Sequence, residues 1–378
     1  MKLVILKRKK KIPGGRLAIS AYSIALGVVL FAIILHAAGR GFFEVLRVVA
    51  LSFTSPTIVL DLLALIMLGY ALVVPFKSAT WNIGAEGQFF IATIPVVYLL
   101  IVQFREPPIP PGLMVMGSLV LAGLAGACWA LIAGFVKVYA RVDEVPITLI
   151  LNYVAYYIVN YLVYGPFRGK YVYGYNRTDE LPPSYSLNVY LRATPPPEEQ
   201  TAFYPLVKWL YDVGYQLTYY AYWLLATVVV AASVWFLLNK TTLGLRIKAL
   251  GYNPDFLLAS GVNVKRYYLI ALAISGFLAG LTGAVYLLSY AKRLTYPVEA
   301  QTAGYGYLAI LVTWLSQLEP KYIPLMAYVV GALRGAGISL QIAGLGSLEQ
   351  SLLVIGTVLL SYSVLSFLSD YEIRVVRG

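Results

Sequence analysis

Ten apolar stretches, separated by short polar ones, organise the chain. They lie at 17–38, 57–76, 88–103, 113–136, 145–164, 217–238, 268–290, 302–317, 322–342 and 348–368. Most approach the roughly 20 residues that a helix needs to cross a hydrocarbon core about 30 Å thick. In lipid every backbone N–H and C=O must be partnered within the protein, so only helices and closed barrels span it. The pattern predicts an all-α, polytopic transmembrane helical bundle of about ten spans. Pro95 removes a backbone donor from the third run and predicts a kink there. Trp314, Gln317 and Glu319 make 302–317 the least regular span.

Composition agrees with this reading. The 378 residues are 60% hydrophobic and 12% charged, with a mean hydropathy of +0.75, too little polar surface for a soluble domain. The net charge of +12 is spread over segments flanking the apolar runs. That distribution fits the positive-inside rule and a lipid bilayer, not nucleic acid. Residues 1–16 hold basic residues and no acidic one, which places them in the cytoplasm. A basic leader before an apolar run also describes a signal peptide, but this run exceeds the usual apolar core of about 7–15 residues, and the segment is expected to be retained. Ten crossings bring residues 239–266 and the tail 371–378 back to the cytoplasm, with 17–370 as the transmembrane domain.

The interval 165–215 is rich in Pro and Tyr and forms the long extracytoplasmic loop. Its charges balance, and only Glu198-Glu199 cluster, so it reads as a docking surface for a partner and not as a catalytic centre. Lys292 and Arg293 fall on the same side, a local exception to the charge rule. Residues 39–55 read as an interfacial helix, and Asp61 as a carboxylate near enough to its helix start to reach the interface. Cys128 excludes an internal disulfide and reads as helix packing, while His36, without Cys or carboxylate neighbours, is interfacial. No metal site is expected. Small residues at Gly117, Gly123, Gly126 and Gly134 predict close helix contact, as do the pairs Gly276/Gly280 and Gly331/Gly335.

Candidate chemistry concentrates in Trp81-Asn82-Ile83-Gly84-Ala85-Glu86-Gly87-Gln88, a polar, glycine-bearing insert between two apolar runs. A charge at mid-bilayer costs roughly 2.5–3.5 kcal/mol on insertion scales, and a polar break between hydrophobic segments is a recurring way to build a transporter site. The alternative is an ordinary cytoplasmic turn. Asn152, Tyr156 and Asn160 follow at i, i+4 and i+8, on one helix face. That face either bonds neighbouring helices or lines a cavity.

A second stretch, Asn253-Pro254-Asp255-Phe256-Leu257-Leu258-Ala259-Ser260-Gly261, reads as a complete short helix. Asn253 caps it, Pro254 takes the first position, Asp255 favours the positive dipole end and Gly261 ends it. Phe256, Leu257 and Leu258 then project apolar surface from a basic loop, either onto lipid headgroups or into a groove on a partner.

The run Asn82-Ile83-Gly84-Ala85-Glu86-Gly87-Gln88 resembles the signature of the simple-sugar and nucleoside permeases of ABC importers, in the group that also holds the branched-chain amino acid and ribose permeases. Ile147-Thr148-Leu149-Ile150-Leu151-Asn152-Tyr153 is similar to the family's pattern. So is the stretch from Thr242-Leu243-Gly244-Leu245-Arg246 to Gly261-Val262-Asn263-Val264, which matches its coupling loop. The resemblance implies a cell-membrane permease subunit that moves a nucleoside or a simple sugar inward by alternating access. It maps substrate contacts onto Trp81, Asn82, Glu86 and Gln88, with Trp81 and Phe89 free to stack on a ring. It implies a cytoplasmic ABC ATPase docked on Asn253–Gly261, an extracytoplasmic substrate-binding lipoprotein, and a second permease subunit, identical or different. The run 302–317 departs from the family's more regular pattern.

The sequence contains no G-x-x-x-x-G-K-[ST] phosphate loop. The chain is therefore expected to be no enzyme and to bind no cofactor, with Mg-ATP on the partner. The alternative is an ion-coupled secondary transporter using Asp61 or Glu86, which leaves the apolar helix in a basic loop unexplained. A membrane-embedded transferase lacks paired carboxylates.

Overall fold

The computed structural model describes residues 2–7, 15–171, 174–190, 194–196, 203–302, 304–346 and 350–376. Glu198-Glu199, Lys9, Lys10 and Lys11 lie outside the described residues. The chain opens with strand β1 (Lys2–Lys7) and helices α1 (Gly15–Ala37), α2 (Phe42–Ser52), α3 (Ile58–Lys77), α4 (Ala85–Ile91) and α5 (Thr93–Val97). It continues through α6 (Pro111–Phe135), α7 (Glu144–Tyr164), α8 (Tyr204–Tyr219), α9 (Ala221–Lys240), α10 (Thr242–Tyr252) and α11 (Pro254–Ala259). Helices α12 (Val264–Tyr286), α13 (Glu299–Thr302), α14 (Tyr305–Leu315), α15 (Ile323–Ile342) and α16 (Gln350–Asp370) precede strand β2 (Tyr371–Val376). Turns of π-helix at Tyr98–Gln103, Val136–Ala140 and Leu287–Ala291 extend α5, α6 and α12.

Among the described residues nine helices are long and apolar enough to cross a membrane. The expected tenth, at 302–317, is shorter: α14 has 11 residues, about 16 Å at 1.5 Å per residue. Gly304 before it (φ 83°) and Gln317 and Leu318 after it (φ 57° and 58°) take left-handed backbone that a helix cannot continue through. Around Pro95, α4 and α5 are separate, with the break at Ala92. The missing N–H leaves the carbonyl of Ile91 without its helical partner, as a kink requires.

Residues Met1–Ile58 and Trp314–Gly378 form one compact unit, and Val59–Thr313 form another. In the first unit α1 packs along α16, with Gly27 against the backbone of Val358. The amphipathic α2 buries Val45, Val49 and Ser52 and lies against α15. β1 and β2 pair antiparallel from Lys2↔Val376 to Lys7↔Tyr371, a ribbon that brings the chain ends together. A Cβ on Gly335 would meet nothing within 4 Å among the described residues, so the close helix contact expected of the Gly331/Gly335 pair does not form at its second member.

The second unit is built on the crossing of α6 and α12. A Cβ added to Gly126 would fall 2.2 Å from the carbonyl oxygen of Gly276, and one on Gly280 2.5 Å from that of Ala122. Gly283, on the adjoining face, admits the backbone of Phe89, whose oxygen would lie 2.2 Å from an added Cβ. The small residues thus serve close approach, as the sequence implied, except that Gly117 faces open space and Cys128 is exposed.

The loop after α7 is zipped along the segment after α12. Thr178 and Leu181 donate to the carbonyls of Leu294 (2.9 Å) and Lys292 (2.7 Å), and Tyr296 donates back to Asn176 (2.8 Å). The Lys292 ammonium donates to Ser186 Oγ (2.6 Å), Asn188 Oδ1 and the Leu288 carbonyl. Burial pushes its pKa down to about 8, and the Glu180 carboxylate opposes that shift. This lysine is therefore a latch on the loop. The last part of the loop is helical: α8 has Pro205 in its first turn and no buried residue.

Replacing Gly126 with Leu is expected to lower the melting temperature of the detergent-purified protein, by the order of 1–3 kcal/mol that overpacking costs, while Gly117→Leu leaves it unchanged. Equal melting shifts from the two variants would contradict the crossing described.

Candidate functional site

Between α3 and α4 the chain runs without helix from Ser78 to Gly84, and the helical ladder restarts with Gln88 N donating to Gly84 O at 3.0 Å. Only the first half of the polar insert is therefore a break; Ala85, Glu86, Gly87 and Gln88 form the first turn of α4. Backbone N–H groups in the break and at the start of a helix have no intrahelical partner, and here side chains supply acceptors to four of them. Trp81 N donates to Glu144 Oε1 (2.8 Å), Ile83 N to Thr148 Oγ1 (3.3 Å), Gly84 N to Asn82 Oδ1 (3.0 Å) and Gly87 N to Asn152 Oδ1 (2.8 Å).

Asn82 is buried and saturated. Its oxygen accepts from Gly84 N and Gln88 Nε2, and its nitrogen donates to Gln88 Oε1 and Ser275 Oγ, all at 2.9–3.0 Å. A primary amide offers two donors and two acceptor sites, so none is left for a solute. Glu86 is equally buried: Oε1 accepts from Thr302 Oγ1 at 2.6 Å and Oε2 from Gly306 N. Gly306 is required by that approach, since its Cβ would lie 2.4 Å from Glu86 N.

The face of α7 bearing Asn152, Tyr156 and Asn160 bonds neighbouring segments, the first of its two readings. Asn152 Nδ2 donates to Ile83 O (2.9 Å) and Tyr307 Oη (3.0 Å). Tyr156 sets its ring 5.5 Å from that of Phe90. Asn160 accepts from Val298 N and donates to Glu299 Oε2, both at 2.9 Å. Trp81, half-buried, lies 4.9 Å from the ring of Phe76.

Three expectations need correcting. Phe89 is fully buried against Phe90 and Tyr286 (5.2 and 5.4 Å) and is not free to stack on a solute. Asp61 does not reach the interface; it is buried and accepts the hydroxyl of Tyr305. Leu257 does not project outward, being only 4% exposed in a cluster with Leu250 and Val264. Sequence reading also missed Thr302, Ser275 and the Lys137–Glu144 ion pair (2.6 Å), whose carboxylate holds Trp81 N. Gly304-Tyr305-Gly306-Tyr307 was the available signal for the segment that grips Glu86.

The loop after α9 forms as its residues dictate. Thr241 Oγ1 caps α10 through Gly244 N (3.0 Å), Asn253 Oδ1 caps α11 through Phe256 N (3.0 Å), and Gly261 has φ 75°. Phe256 and Leu258 are exposed by 64% and 57%, so α11 presents two apolar side chains and roots the third. Helix α10 sits against the end of α3: a Cβ on Gly251 would fall 2.2 Å from the carbonyl oxygen of Lys77, four residues before Trp81.

Residues 53–362 match the family described as the permease component of branched-chain amino acid transport systems. The guanosine ABC transporter permease protein NupP of Bacillus subtilis is 26% identical over 83% of this chain and 80% of its own. NupQ, a guanosine ABC transporter permease protein of the same organism, is 28% identical over 75% and 76%. The glucose ABC transporter permease protein TsgB13 of Haloferax volcanii is 24% identical over 74% and 68%. No solved structure matches at the same stringency.

Glu86→Gln puts an amide nitrogen where Thr302 or Gly306 donates, and Gly306→Ala forces the same two segments apart. Each is expected to lower the melting temperature by the order of 1–3 kcal/mol that an unsatisfied buried group or overpacking costs, while Thr302→Ser retains the donor and is tolerated. Unchanged melting in both disruptive variants would return residues 81–88 to an exposed turn.

Proposed function

The chain belongs to the permease family of branched-chain amino acid transport systems, as the membrane-spanning subunit of an ABC importer whose ATPase is separate, and we propose that it carries nucleosides inward, driven through α11. The carrying observation is the arrangement around Lys77. Helix α11 offers exposed Phe256 and Leu258 from a capped, rooted turn, and α10 beside it presses on the residue from which the polar break departs. A rigid push on α11 is thereby delivered to 77–84 through backbone contact.

The route for solute runs along the half-buried faces of Trp81, Tyr156 and Tyr307. Asn82, Glu86, Gln88, Asn152 and Asn160 hold those faces in place and act as positioning residues. Asn253, Pro254, Asp255 and Gly261 shape the coupling turn, Leu257 anchors it, and Phe256 and Leu258 touch the ATPase. Both chain ends lie in the cytoplasm: the terminal ribbon supports an even number of crossings, met by nine long helices and the shorter α14. The two guanosine permease proteins of one organism among the relatives support a second permease subunit as partner, and they favour a nucleoside over the glucose of TsgB13. A substrate-binding lipoprotein docks on the zipped outer loop.

Aspartate at both Phe256 and Leu258 is expected to abolish co-purification of the ATPase and to reduce ATP-dependent uptake into vesicles about 10-fold or more, as loss of interface anchors does, without a melting shift. Leu257→Asp is expected instead to lower the melting temperature. Normal uptake by the double variant would remove α11 from the coupling role.

A further inference from the structure

At the end of α12 remote from the coupling loop lies a cavity of about 450 Å³ lined by Tyr286, Tyr290, Ala291, Arg293, Thr295 and Gln301. This volume falls within the roughly 300–1,000 Å³ usual for small-molecule sites. None of these side chains takes part in the anchoring of the polar break.

The cavity has a fixed frame and a free wall. Tyr286 Oη donates to the Gln301 carbonyl (2.9 Å), while the Gln301 amide accepts from Thr295 N and donates to Arg293 O, both at 3.1 Å. Those groups are committed to holding the wall. Tyr290 is half exposed, its ring 5.5 Å from that of Tyr286 and inclined by 51°. The Arg293 guanidinium, with a third of its side chain exposed, has among the described residues a long ion pair to Glu180 at 3.9 Å. A ligand here meets an aromatic face and a planar fork of donors.

Guanidinium has five donors and no acceptor, so the matching ligand presents adjacent acceptors on the edge of a flat ring. The O6 and N7 atoms of a 6-oxopurine do so, and bidentate Arg pairing to that edge is the most frequent specific base contact. Adenine sets an amino donor where O6 would be. A hexose can lay its C–H face on Tyr290, but its hydroxyls rotate and donate as well as accept, so it offers the fork no fixed pair of in-plane acceptors. We propose that this cavity binds 6-oxopurine nucleosides such as guanosine and inosine, with Tyr290 stacking on the base and Arg293 reading its O6/N7 edge; this rests on the permease reading above.

The site is placed to be felt at the polar break. Gln301 directly precedes Thr302, which donates to Glu86 (2.6 Å), and the Tyr286 ring lies 5.4 Å from Phe89 and 5.8 Å from Tyr305.

The test is uptake of labelled guanosine by the complete transporter in ATP-loaded vesicles, with inosine, adenosine, uridine, glucose and inorganic phosphate as competitors. Arg293→Gln is expected to raise the half-saturating guanosine concentration about 10-fold or more and to erase the preference for guanosine and inosine over adenosine. Tyr290→Ala is expected to weaken all nucleosides, with Tyr290→Phe restoring them. Unaltered half-saturation in both Arg293→Gln and Tyr290→Ala would overturn the site, as would Arg293-dependent competition by phosphate alone. ATP-driven uptake that ignores these variants would sink the cavity but leave the permease reading standing. Native complex that moves neither nucleoside nor sugar with ATP would sink that reading itself.

Discussion

Where a chain leaves one apolar helix and begins another, the backbone N–H groups freed at the break must find acceptors, and the second unit of this protein is arranged around meeting that requirement between Ser78 and the first turn of α4. Glu144, Thr148, Asn82 and Asn152 each take one backbone N–H from Trp81, Ile83, Gly84 or Gly87. An unpartnered polar group in hydrocarbon costs several kcal/mol, so these side chains are as necessary to the broken helix as its apolar packing. The Asn82–Gln88 amide pair closes the break on itself. Glu86 ties it to the segment carrying Thr302 and Gly306. Polar residues that look like solute ligands are thereby committed to architecture.

The same break is where forces from either end of α12 converge. On one side Gly251 brings α10 against Lys77, and α10 shares the Leu250–Leu257–Val264 cluster with α11. On the other, Gln301 and Thr302 are neighbours in sequence, one framing the outer cavity and the other bonded to Glu86. Each link is a backbone or buried side-chain contact. Close-packed interiors switch between discrete arrangements and do not deform gradually.

What the sequence disclosed was what local chemistry decides. The Asn253 cap, the first-turn Pro254 and the left-handed Gly261 depend on a few adjacent residues, and each is found as read. Gly126 and Gly276 were legible because only glycine permits that approach. Concealed were matters settled by distant partners. Leu257 turns inward because Leu250 and Val264 await it, and Asp61 is buried because Tyr305 reaches it from 244 residues away. Phe89 is core and not a stacking face because Tyr286 and the backbone gap at Gly283 enclose it. For Asn82, Glu86 and Gln88 residue type pointed to polarity at the break, and the hydrogen-bond partners decide how that polarity is used.

The most direct measurement is hydrogen exchange at the amides of Trp81, Ile83, Gly84 and Gly87 in the membrane-embedded transporter. If side chains hold these groups as described, exchange is slowed to the range of the flanking helices α3 and α4, and Asn152→Ala releases Gly87. Exchange at the rate of an exposed turn in the unaltered protein would contradict the account.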